Sequence, residues 1–226
     1  MRILALDTST EYCSVALWHD GKVTSRCELV GQKHSEKLMP MLDALLQEAG
    51  VKLKQCDGIA FGMGPGSFTG VRIACGVTQG LALGAELSVV GICTLEALAE
   101  GSGKSKVIAA LDARMAEVYH AAYEKNNEGW VALSEPSLCK PEDAPAVEGD
   151  DWFAAGSGFS AHGEALQNRY QGQLQNIDGA AIPQAASIAV LGAARFARGK
   201  GVDAALALPL YLRDKVALKT SEREKK

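Results

Sequence analysis

The sequence has no Cys-x-x-Cys pair, no two histidines four residues apart, and no lysine in its most glycine-rich loop. Each absence removes a chemistry. The cysteines at 13, 27, 56, 75, 93 and 139 are widely spaced, mostly in apolar surroundings, and fit free buried thiols better than a disulfide framework or a zinc knuckle. His19, His34, His120 and His162 include no His-Glu-x-x-His, so a zinc hydrolase lacks its ligand pair. Gly-x-x-x-x-Gly-Lys-Ser/Thr does not occur, which excludes a Walker A loop; "GSGKS" at 101–105 lacks the upstream glycine and reads as a linker. Excess positive charge is missing as well: 23 Lys and Arg stand against 27 Asp and Glu, so the whole chain is not a basic nucleic-acid binder. There is no uncharged apolar run of about 18 residues to span a membrane. Asp7 and Glu11 interrupt the apolar start, which reads as a strand and not a secretory signal, and a cytoplasmic location is expected.

What is present is an alternation of strand and helix patterns over 226 residues, enough for one sizeable domain or two small ones. RILALD at 2–7, CSVALWH at 13–19 and KVTSRCELV after the Asp20-Gly21 turn predict an antiparallel meander. Over 34–50, Leu38, Met41, Leu42, Leu45, Leu46 and Ala49 recur at helical spacing, with Ser35 or His34 as cap and Gly50 as stop. Leu38, Met39, Leu42 and Leu46 form a second stripe, so the apolar arc is wider than one sheet contact requires. A strand at 57–63, a helix at 68–84, a strand at 87–92 and a short helix at 93–101 follow. Past the linker, KVIAALDA and EVYHAAYE repeat the order strand, Asp, turn, strand seen at the start, which suggests two related half-domains. NNEG reads as a hairpin turn, 136–151 as a Pro- and acid-rich connector, 152–170 as strand, glycine turn and helix, and 183–199 as a helix. The expectation is an α/β chain with an N-terminal lobe at 1–102 and a C-terminal lobe at 103–207. A segment at about 208–220 would pack back on the first lobe, and 215–226 would be a disordered tail.

Four groups of residues could carry chemistry or contact. Asp7 ends the first strand and is followed by Thr8, Ser9 and Thr10, a hairpin that could face a phosphate or simply close an Asx-turn. In "GMGPGSFTG", Gly62, Gly64, Gly66 and Gly70 permit close backbone approach, and Ser67 or Thr69 can cap the next helix, whose N-terminus is then an anion site. On that helix Gly76, Gly80 and Gly84 stack at four-residue spacing, each costing about 1 kcal/mol relative to alanine. Such a face suits either tight packing inside the chain or a subunit interface shared with the helix at 34–50. Asp112, Arg114 and Glu117 read equally as a cleft or as a solvated hairpin. Ser67 sits in no Gly-x-Ser-x-Gly elbow and has no assignable His–Asp pair.

The stretches LALDTSTEYCSVAL, GMGPGSFTGVRIACGVTQGLALG and LDARMAEVY resemble the bacterial TsaB (YeaZ) family of tRNA threonylcarbamoyladenosine biosynthesis proteins. The resemblance covers nearly the whole chain and is most specific in GPGSFTGVRI. It implies an actin-like, Hsp70-like, sugar-kinase-like (ASKHA) fold with two related lobes. It implies a heterodimer with the paralogue TsaD, which carries the metal site and transfers the threonylcarbamoyl group to N6 of adenosine 37 in tRNAs reading codons that begin with A. It further implies the ATPase TsaE as a third partner, only indirect tRNA contact, and a non-catalytic scaffold role with no cofactor. TsaD-type members carry His-Met-Glu-Gly-His; here "TLEAL" puts Thr94 and Leu98 at the histidine positions and keeps only Glu96, so no metal is expected.

On this reading, Asp7, Ser9, Gly64, Gly66, Ser67 and Thr69 form a vestigial nucleotide or anion site. Leu38, Met41, Leu42 and Leu45 with Arg72, Gly76, Gly80 and Gly84 form a partner face, which also serves a homodimer when TsaD is absent. The alternatives are a nucleotide-binding ATPase in its own right, working through Asp7 and Ser9, and, least supported, a peptidase acting on its partner. The tail residues Lys215, Lys219, Arg223, Lys225 and Lys226 would add an electrostatic contribution to any tRNA contact.

Overall fold

The continuous apolar run of RILALD becomes β1 (Arg2–Asp7), buried on both faces as a central strand requires. It pairs antiparallel with β2 (Tyr12–His19), which pairs antiparallel with β3 (Lys22–Leu29), exposed along its whole length and carrying Lys22, Arg26 and Glu28 on the sheet's free edge. After helix α1 (His34–Glu48), strand β4 (Gly58–Gly64) joins β1 in parallel; after α2 (Phe68–Ala85), β5 (Val89–Cys93) joins β4 in parallel. The sheet order is β3-β2-β1-β4-β5. The structure is a computed structural model and describes residues 1–213.

A second sheet repeats that plan. Past α3 (Thr94–Gly101), the strands β6 (Lys106–Asp112), β7 (Val118–Asn126) and β8 (Gly129–Cys139) form an antiparallel meander. Strands β9 (Trp152–Ala155) and β10 (Leu174–Asp178) then add in parallel on the other side of β6. The order β8-β7-β6-β9-β10 reproduces the first sheet strand for strand. The sequence echo between LALD and AALD thus marks corresponding places in two lobes. Two local readings change. Residues 136–139 continue β8 instead of opening the connector, and β10 has no counterpart in the sequence reading, because LQNID is half polar and shows no clean alternation. Helix α1 begins at His34 with Lys33 as its cap residue and no side-chain cap bond.

The helices are exchanged between lobes. Helix α3 follows the first sheet but packs on β6 and β7; α6 (Ala185–Ala197) follows the second sheet but packs on β1, β2 and β4. The two helices meet, and Glu96 of α3 pairs with Arg195 of α6, whose guanidinium also reaches the Gly91 carbonyl. Burial pushes the Glu96 carboxyl up, opposed by Arg195. The chain therefore returns to the first sheet at α6, earlier than the segment at about 208 proposed from the sequence, and Ala204 and Ala207 pack in the first core.

On the outer face of the first sheet, α1 and α2 cover Leu4, Leu6, Val15, Leu17, Ile59 and Phe61. In the second lobe α4 (Ser157–Ala161) and α5 (Gly163–Arg169) cover the face away from α3. There the buried Tyr170 hydroxyl donates to the Pro145 carbonyl at 2.7 Å, which leaves its oxygen to accept from Nε2–H of His120, also at 2.7 Å. His120 is fully buried, and burial lowers its pKa to about 4.

Candidate functional site

The glycine loop and the β1–β2 hairpin fill one another. The Ser67 amide donates to the Ser9 carbonyl at 2.7 Å, and the Thr8 hydroxyl donates to the Gly70 carbonyl at 2.6 Å. Ser67 is the N-cap of α2, its hydroxyl accepting from the Gly70 amide. Asp7 Oδ1 accepts from the Ser9 amide and hydroxyl at 3.1 and 2.9 Å, while Oδ2 has no partner among the described residues. Asp7, Thr8 and Ser9 are all buried. Burial pushes the Asp7 carboxyl up to about 6, against the lowering effect of the two Ser9 hydrogen bonds. The glycines are required by contact. A Cβ on Gly62 would collide with Asp7 Oδ2, one on Gly66 with the Ser9 carbonyl, and one on Gly70 with the Thr8 carbonyl. Of the six residues read as an anion site, the fold brings together Asp7, Ser9, Gly66 and Ser67. Gly64 is buried and Thr69 lies exposed on the first turn of α2.

That contact gives a direct expectation. Gly62→Ala should destabilise the chain by about 2 kcal/mol, the cost of forcing one methyl into a filled site. The shift in urea midpoint measures it; an unchanged midpoint would mean that the hairpin and loop are not in contact.

The outer helical face behaves differently. Leu38, Met41, Leu42 and Leu45, expected at a partner interface, are at most 5% exposed and belong to the first core. The sheet beneath consumes that stripe of α1, and what remains outside is Met39, 46% exposed, with half-buried Leu46. Among the described residues Gly76, Gly80 and Gly84 meet nothing: a Cβ built on any of them has no neighbour within 4 Å. No described part of the chain packs on the glycine stripe, and all three positions are exposed. Beside it Leu83 is 77% exposed. The stripe runs on at the same four-residue spacing through Arg72 to Phe68. The Arg72 guanidinium stacks on the Phe68 ring at 3.6 Å and donates through Nε to the Tyr211 hydroxyl at 2.7 Å. Beside α1 lies a largely apolar groove of about 550 Å³, lined by Met39, Pro40, Leu42 and Leu46 of α1, by Leu53, and by Leu81 of α2. Sequence reasoning placed Met39 and Leu46 in the second stripe of α1 but missed Phe68, Leu83 and Tyr211. The signal was available for Leu83, which falls off the buried stripe Val71, Ala74, Cys75, Thr78 and Ala82.

The other candidates are separate. Thr94 is buried and donates to the Pro65 carbonyl; Leu98 is buried in the second lobe's core. Among the described residues, no group of three or more His, Cys, Asp or Glu is placed to hold a metal ion. Asp112 Oδ1 accepts from the Arg114 amide and lies 3.4 Å from His162 Nε2. No helix among the described residues is long and apolar enough to cross a membrane. The basic tail residues Lys215, Lys219, Arg223, Lys225 and Lys226, and the expected disorder over 215–226, lie outside the described residues.

Comparison with known proteins bears on this geometry. A family profile described as TsaD, tRNA N6-adenosine threonylcarbamoyltransferase, matches residues 26–220. The tRNA threonylcarbamoyladenosine biosynthesis protein TsaB of Escherichia coli K12 is 40% identical, over 97% of both chains. The TsaB protein of Haemophilus influenzae Rd is 36% identical over 97% of this chain and 96% of its own. Among solved structures, YeaZ from Pseudomonas aeruginosa superposes with a TM-score of 0.86 at 42% identity, covering 93% of this chain and 99% of that one.

Proposed function

The chain belongs to the TsaB (YeaZ) family of tRNA threonylcarbamoyladenosine biosynthesis proteins, and we propose that it acts there as a non-catalytic scaffold. It docks the paralogue TsaD through the outer face of α2 and the α1–α2 groove, supports threonylcarbamoyl transfer to adenosine 37, and works with the ATPase TsaE. Alone, the same face serves a homodimer, since a two-fold contact needs only one self-complementary patch. One observation carries this reading: the glycines of α2 are open, exposed and uncovered by any described residue. An 18-residue helix is about 27 Å long, and Gly76, Gly80 and Gly84 weaken it for no packing gain among the described residues. They make sense where a partner's backbone must come close, with Leu83, Met39 and Phe68 as exposed apolar surface around it.

The same geometry disfavours an independent ATPase. Asp7, the acid such an activity would use, is buried against Ser9, and the Ser67 amide at the helix N-terminus is already bound to the Ser9 carbonyl. The test is reconstitution. TsaD and TsaE from the same organism, supplied with ATP and a threonylcarbamoyl donor, should modify tRNA only when this chain is added. Modification at the same rate without the chain would overturn the proposal.

A further inference from the structure

The segment 203–213 crosses the flank of α2 and ends in the other lobe. The Ala207 carbonyl accepts from Cys75 Sγ at 2.6 Å and from Gln79 Nε2 at 3.0 Å. The Leu210 amide donates to the Met63 carbonyl at 2.7 Å. Tyr211 then lies beside Phe68, ring centroids 5.9 Å apart, with its hydroxyl on Arg72. Two residues later Arg213 has left the first lobe. It pairs with Glu117 at 2.7 Å, donates to the Ala113 carbonyl at 3.1 Å, and places Nη1 2.9 Å from Met115 Sδ.

The turn that Arg213 grips is the most strained stretch of backbone in the described chain. Arg114, Met115 and Ala116 stand consecutively in the left-handed region, with φ of +61°, +56° and +58°. Residues with a Cβ enter that region singly and at a cost; three in a row need external support. Within the turn, backbone bonds run only from the Ala113 amide to Glu117 and from the Glu117 amide to Arg114. The turn also holds Asp112, whose Oδ1 accepts from the Arg114 amide and faces His162.

We infer that residues 207–213 form a two-ended latch, in which the Arg72–Tyr211 contact on α2 keeps Arg213 on the β6–β7 turn. A body that docks over Phe68 and Arg72 and displaces Tyr211 thereby frees that turn and the Asp112–His162 pair behind it. The latch gives the second lobe a means of registering occupancy of the first. Its use in assembly rests on the docking role proposed for α2; the latch itself is a property of the isolated chain.

Amide hydrogen exchange of the full chain alone tests it. Tyr211→Ala removes contacts to Phe68 and Arg72 on α2, yet should speed exchange of the Ala113 and Glu117 amides about tenfold by shifting the local opening equilibrium. Arg213→Ala should do the same, and the double variant should go no further, because both changes release one latch. The β1 and β4 amides should stay at wild-type rates. Turn amides unchanged in Tyr211→Ala would overturn the inference, as would multiplying effects in the double variant. If core amides also speed up in Tyr211→Ala, Tyr211→Phe, which removes only the hydroxyl on Arg72, is expected to move the turn in the same direction; no movement there refutes the coupling. No partner is present in this experiment, so its failure leaves the docking role of α2 untouched.

Discussion

Replacing Gly76, Gly80 and Gly84 together by alanine is expected to stabilise the isolated chain by about 3 kcal/mol, and replacing Gly80 alone by arginine to abolish association with TsaD while the chain stays folded. The two halves follow from one geometry. Helix interiors favour alanine over glycine by about 1 kcal/mol per position when nothing else intervenes. Nothing does here, because a Cβ at each position enters open space. The gain should appear as a rise in midpoint temperature of about 2–4 °C per kcal/mol for a chain of this size. A bulky cation at Gly80 is equally harmless to the monomer, but it stands in the middle of the α2 stripe where the proposed docking brings a partner's backbone close. A scaffold face thus predicts opposite signs for stability and association, measured on the same helix. Triple-alanine destabilisation would show that the glycines are packed after all.

The second large effect concerns Asp7. Its pKa is raised by burial to about 6 from an ordinary 3.8. A raised acid binds more protons folded than unfolded, so its contribution is fully present below about 3.8 and is lost as pH rises through about 6. Raising a carboxyl from 3.8 to about 6 corresponds to about 3 kcal/mol. Asp7→Asn removes the charge and keeps an oxygen for the Ser9 amide and hydroxyl; its NH₂ replaces an oxygen that has no partner among the described residues. The stability of Asp7→Asn relative to wild type should therefore rise by about 3 kcal/mol between about pH 3.5 and about pH 8. Wild type alone hides this. His120, lowered to about 4, loses its contribution as pH falls from 6.5 through 4, the opposite sign over nearly the same window. The difference between the two proteins isolates Asp7, because His120 is common to both. Urea unfolding at about pH 4, 6 and 8 checks it, and parallel curves for the two would contradict a buried, closed Asp7.

The parts of this molecule that are legible in the sequence are those set by local pattern. β1 announces itself as RILALD, α6 as a long run with Gly199 after it, and the repeated Asp at the ends of β1 and β6 points to two lobes of one plan. Polar LQNID hides β10, which forms because β9 offers a parallel edge to pair with. The exchange of α3 and α6 between lobes is a matter of packing that no local pattern encodes. At the candidate face the wide apolar arc of α1 misleads: Leu38, Met41, Leu42 and Leu45 are consumed by Leu4, Leu6, Val15 and Leu17 beneath them. The glycines of α2 stand out by composition, yet their spacing is equally consistent with internal packing, and only the geometry separates the two. In the glycine loop, composition suggests an anion site; that the Ser67 amide is taken by the Ser9 carbonyl is a contact between distant segments that composition does not encode.

The open face of α2 is where a partner should sit. Light scattering after size exclusion tests this most directly, comparing wild type and Gly80→Arg, each alone and each mixed with TsaD from the same organism. The expected result is a one-to-one complex with TsaD for wild type, and for Gly80→Arg a folded monomer that passes through beside TsaD without binding. A Gly80→Arg chain that still forms the complex at wild-type affinity would place the partner elsewhere and contradict the scaffold face.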